Sequence, residues 1–108
     1  MEIKIASEFS KFPGPRDRGE GDYSAEDFFE RLLLPRFNAS LANGERLRIV
    51  LDGTAGYATS FLEGSFGKLQ RDLKSQGIRI LDHIDFVSVE EPYLIDEIKE
   101  YVADALKG

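Results

Sequence analysis

Between Leu47 and Leu69 the chain changes period once and sharply, and that change restricts its fold more than any other feature. Leu47-Arg48-Ile49-Val50-Leu51 is apolar and β-branched and stops at Asp52, the signature of a short strand bounded by a turn former. Gly53, Gly56 and small residues follow, and a helical periodicity opens at Thr59 and Ser60. A strand, a flexible turn and a helix N-terminus therefore come in quick succession. Backbone N–H groups and the helix dipole point outwards at such turns, so ligands and partners collect there.

The flanking segments repeat the alternation. Glu2 to Ala6 places Ile3 and Ile5 on one side and Glu2 and Lys4 on the other, a short strand. Pro13-Gly14-Pro15-Arg16 breaks it, and the run to Asp22 offers nothing to bury, which predicts an exposed loop. Ser24 is placed as an N-cap with Asp27 three residues on, and Phe28, Phe29, Leu32 and Leu33 share a helical face. Pro35 is expected to end or kink this helix, with a second short helix resuming and closing at Asn43-Gly44.

Phe61, Leu62, Phe66, Leu69 and Leu73 form the stripe of the next helix, which Gly77 stops. Gly64 and Gly67 lie inside it, each costing about 1 kcal/mol against alanine, and close packing is the favoured explanation. Of the apolar runs Ile78–Leu81 and Ile84–Val89, the second is the better strand. Glu90-Glu91-Pro92 is expected to start the last helix, whose stripe runs from Leu94 to Leu106. Strands alternating with helices imply an α/β fold with a mostly parallel or mixed small sheet and about four helices, in one domain over residues 1–108.

Composition removes several function classes. The net charge is −6, from 20 acidic and 14 basic residues that are scattered, which argues against nucleic acid as a partner. There is no cysteine, so disulfides, thiolate catalysis and cysteine-based zinc sites are excluded. No apolar run approaches the roughly 20 residues that cross a bilayer. MEIKIASEF lacks the core of a signal peptide. A cytoplasmic, bacterial-type protein is the expectation.

The motif SFLEGSFGKL, Ser60 to Leu69, together with PGPR at Pro13–Arg16 and the Ser24-started FFERLLLP helix, resembles the STAS-like domain family of unknown function. The likeness runs roughly from Ile3 to Leu106. That family is similar to the STAS domains of anti-sigma-factor antagonists. In those, a serine opening the helix after a central strand is phosphorylated by a partner kinase that is also the anti-sigma factor. The resemblance puts that position at Ser60 or Thr59. The antagonists carry an Asp-Ser-Ser-Gly type signature where this chain reads Ala58-Thr59-Ser60-Phe61.

The resemblance thus implies a non-enzymatic regulatory module that docks a histidine-kinase-like ATPase or anti-sigma factor. The contacts expected are Asp52, Gly53, Gly56, Tyr57, Phe61 and Glu63, with Arg16 facing Ser60 if its loop folds over. Judged as residues alone, Thr59 or Ser60 is more simply an N-cap, and Asp52 a turn-capping carboxylate. A second reading places an anion or nucleotide on Gly53, Gly56 and Arg16, although no phosphate-loop motif is present. His83, beside Asp82 and Asp85, reads as a surface histidine rather than a metal ligand or base. No cofactor, metal site or catalytic group is expected. Self-association through the last helix stays open.

Overall fold

The computed structural model describes every residue from Met1 to Gly108. Strand β1 spans Glu2–Lys4, β2 Leu47–Val50 and β3 Ile84–Val87, and they form one parallel sheet in the order β1-β2-β3. Ile3, Ile49 and Phe86 lie in register across it, as do Glu2, Arg48 and Asp85.

Adjacent parallel strands need a crossover each, and right-handed crossovers in this order put both on the same face. Burial follows that rule. Ile3, Leu47, Ile49 and Ile84 are buried on the helix side, while Glu2, Lys4, Arg48 and Asp85 are exposed on the other, with Val50 and Val87 half-buried. Parallel sheets are usually covered on both faces and read as unbroken apolar runs. The polar alternation in Glu2-Ile3-Lys4 and Leu47-Arg48-Ile49 marks this one as covered on one face only.

The first strand is shorter than the Glu2–Ala6 expected, because Ile5–Glu8 forms a single helical turn, α1, whose Glu8 accepts from the Lys4 amide at 2.8 Å. Helix α2 opens at Ala25, and its N-cap Ser24 accepts from the Asp27 amide at 3.1 Å. Pro35 does not divide it. Ala25–Phe28 continues through a π turn, Phe29–Leu33, into Leu34–Ala42. The Leu34 amide reaches back to the Phe29 carbonyl, and this wider turn carries the chain past the ring that would crowd a regular helix.

Helix α3 comprises Thr59–Leu62, a second π turn at Glu63–Gly67, and Lys68–Leu73; it ends in a 3-10 turn, Lys74–Gln76, and left-handed Gly77. The run Ile78–Leu81 supplies no strand and instead enters a 3-10 turn at Ile80–Asp82. Helix α4 spans Tyr93–Lys107 with Pro92 as N-cap, so Glu90 and Glu91 stand in the preceding loop and not in its first turn. Between sheet and helices, 20 buried apolar residues form one core. Phe28 and Phe61 meet there at 5.6 Å, and Phe66 stands edge-on to Phe86 at 5.1 Å.

Candidate functional site

The turn after β2 is held by a reciprocal clasp. The Asp52 carboxylate accepts the amides of Val89 at 3.0 Å and Glu90 at 2.9 Å, and the Glu90 carboxylate accepts the Gly53 amide at 2.5 Å. Asp52 therefore caps a neighbouring loop as well as closing its own strand. Gly53 and Gly56 have φ of 93° and 133°, values at which a side chain is strained. The Gly56 amide donates to the Thr54 hydroxyl at 3.3 Å. An anion cradle on Gly53 and Gly56 would need both amides; Glu90 already fills one as an internal anion.

Tyr57 closes the turn from below. Its hydroxyl donates to the Leu51 carbonyl at 2.8 Å and its ring lies 5.9 Å from Phe61. Burial pushes that hydroxyl up to about 12. Phe61, expected among the contact residues, is fully buried. It sits on the inner face of α3 against Phe9, Phe28 and Tyr57, so no partner reaches it.

Ala58, not Thr59 or Ser60, is the N-cap of α3, and no side chain caps it. Thr59 is exposed and Ser60 half-buried. The capping role expected for these hydroxyls is therefore absent. Thr59 lies toward α4: burial raises the Tyr101 hydroxyl, Glu97, Glu100 and Glu63 raise it further, and the neighbouring Thr59 opposes them.

The loop expected to be merely exposed is instead folded back on α2 and α3. Ala25 and Glu26 donate their amides to the carbonyls of Pro15 and Arg16 at 2.8 and 3.0 Å. Arg18 bonds Asp27 and Glu30, both at 2.6 Å. Arg16 does not go to Ser60; its guanidinium pairs with Glu63, one turn further along, and Arg71 pairs with the same carboxylate. Burial alone would raise the Glu63 carboxyl, but Arg71 and Arg16 together hold it below its ordinary value. A cleft of about 280 Å³ opens here, lined by Arg16, Asp17, Glu26, Gly64, Lys68 and Arg71.

The structure thus brings Arg16 to Glu63 and Asp52 to Gly53, in two separate groups. It does not bring Arg16 to Gly53 and Gly56. Sequence reasoning missed Arg71 and Glu90. Arg71 is eight residues beyond Glu63, a spacing no helical rule pairs, and Glu90 looked like part of a helix start. His83 stands edge-on to Phe37 at 6.1 Å, while Asp85 is taken by Arg46 at 2.8 Å.

Residues 24–94 match the family model of the STAS-like domain of unknown function (DUF4325). That span holds α2, β2, the clasped turn, α3, β3 and the start of α4. No curated protein and no solved structure was found to match the chain. No helix is long and apolar enough to cross a membrane. STAS-like domains are generally non-enzymatic. With its parallel sheet, its strand–turn–helix centre and this match over most of its length, the chain belongs to the family of STAS-like domains of unknown function.

Proposed function

We propose that this chain is a non-enzymatic regulatory module that docks a protein partner through the turn and outer helix surface between Gly53 and Gly67. The partner class is a histidine-kinase-like ATPase or anti-sigma factor, and Ser60 is the favoured phosphoacceptor. The observation that carries this reading is the helix start itself: Thr59 and Ser60 present hydroxyls with no capping duty at the exit of a clasped turn.

Charge separates the two hydroxyls. Thr59 lies near Tyr101 of α4, whose hydroxyl feels the Glu97 and Glu100 carboxylates, so a phosphate on Thr59 would meet like charge. Ser60 lies one turn before Gly64, against which the Arg16 stem packs, so its phosphate would have a guanidinium within a turn of helix. The anionic-ligand reading loses ground because the Gly53 amide is occupied and Asp52 and Glu90 surround the turn.

Affinity capture of the tagged full chain from its native cell extract, with phosphosite analysis of the recovered chain, tests this. A kinase-type ATPase together with phosphate on Ser60 is the expected result. Absence of any partner and an unmodified serine would overturn the reading.

A further inference from the structure

The two outer edges of the sheet are finished differently. The Arg48 amide bonds the Met1 carbonyl, and the Leu47 and Leu51 amides bond the carbonyls of His83 and Val87. By the alternation of a parallel ladder, the backbone groups of Glu2, Lys4, Ile84 and Phe86 therefore turn away from β2. On the β1 edge, Arg36 takes the Glu2 carbonyl at 2.9 Å and Glu8 takes the Lys4 amide at 2.8 Å. On the β3 edge, Arg46 takes only the Ile84 carbonyl, at 3.3 Å. The amide and carbonyl of Phe86 are left at the open edge.

A groove of about 400 Å³ runs beside that edge, between β3 and α4. Leu81, Ile84, Phe86 and Ile95 supply its apolar wall, and Arg46 and Lys99 stand at its rim. Leu81, Phe86 and Ile95 are only half-buried, so a side chain entering the groove would complete their packing. We propose that the β3 edge and this groove accept an extended acidic segment of a partner protein, added as a fourth strand. This surface is independent of the docking turn and does not rest on the reading given for it.

The chemistry selects the occupant. Unpaired edge groups are satisfied by another extended backbone, which is how strand addition works. Alternate apolar side chains then drop toward Leu81, Phe86 and Ile95. At the rim Arg46 is paired with Asp85, which leaves Lys99 as the cation without an ion-pair partner, in a chain of net charge −6. That local excess of positive charge suits an acidic segment. A second copy of this chain fits less well. Antiparallel pairing through both Ile84 and Phe86 would set one Asp85 directly opposite the other, where like charges destabilise.

The test is a titration of the full chain with a capped peptide of alternating valine and glutamate, followed by backbone amide spectra and amide exchange. Saturable shifts at Ile84, Phe86 and Lys99, and slowed exchange at the Phe86 amide, are expected. A peptide N-methylated at every second residue should not bind, and Lys99→Glu, an exposed position, should weaken binding about tenfold. No shift along β3 at millimolar peptide, or equal binding by the N-methylated peptide, would overturn the proposal. A concentration-dependent dimer in sedimentation that protects the same amides would overturn it too, in favour of the second copy.

Discussion

Gly64→Ala and Gly67→Ala make the same chemical change three residues apart in one π turn, and the structure assigns them opposite signs. Alanine is worth about 1 kcal/mol more than glycine in a helix interior. The atoms nearest a methyl on Gly67 would be those of the Glu63 and Arg71 side chains, at 3.4 and 3.5 Å, so most of that gain should be realised. On Gly64 it would come to 2.9 Å from Cγ of Arg16 and 3.2 Å from Cβ of Ala25. Neither neighbour can swing aside freely: Ala25 is the first residue of α2, and the Arg16 head is paired with Glu63. Overpacking of this kind costs about 1–3 kcal/mol, which leaves Gly64→Ala destabilising by roughly 1 kcal/mol. The two variants should thus differ by about 2 kcal/mol, and each kcal/mol is worth roughly 4–8 °C in a domain of this size. Urea denaturation followed by circular dichroism gives both values. Adding Arg16→Ala should reduce the Gly64→Ala penalty, leaving the Ala25 contact. If Gly64→Ala is as stabilising as Gly67→Ala, the packing of the loop on α3 described here is wrong.

Asp52→Ala should cost about 1–2 kcal/mol by orphaning two amides, and amide exchange at Val89 and Glu90 should quicken while β1 is unaffected. Tyr57 must stay neutral to donate to Leu51. Its contribution is therefore intact below pH 10.0, its ordinary value, and is lost as pH rises toward about 12; Tyr57→Phe should remove that alkaline loss, read by paired denaturation series. Glu63 behaves in the opposite sense. Its carboxyl is held below 4.5, so its contribution is full above that pH and lost as pH falls through the lowered folded value. Glu63→Gln should flatten this acid limb, modestly because both arginines are partly solvated, and added salt should shrink the difference.

Periodic segments were readable in the sequence, and non-local pairings were not. Ser24 as a cap, Gly44 and Gly77 as helix stops, the three strand positions and the stripe of α4 follow from spacing and turn chemistry alone. Pro35 reads as a disturbance of the helix, but nothing in the spacing shows that a wide turn at Phe29–Leu33 absorbs it. The loop from Pro13 to Asp22 looked solvated because its residues are polar, yet polar residues can be pinned by charge. Arg18 reaches Asp27 and Glu30, and Arg16 reaches Glu63 across 47 residues of chain. Asp52 announced a turn cap, though not that the capped amides belong to the next loop. Phe61 shows the reverse failure: its place beside the candidate hydroxyls suggested a contact, and the helix phase buried it.

The strand order β1-β2-β3 carries a consequence for how the chain is made. Each strand is laid on the outer edge of the one before it, so no later strand has to insert between two earlier ones. β1, α2 and β2 can therefore pair without waiting for a strand that comes later in the chain. The partners are nevertheless far apart in sequence, Glu2 with Arg48 and Leu47 with Ile84, and parallel pairings of that span fold more slowly than the local contacts of a helical bundle.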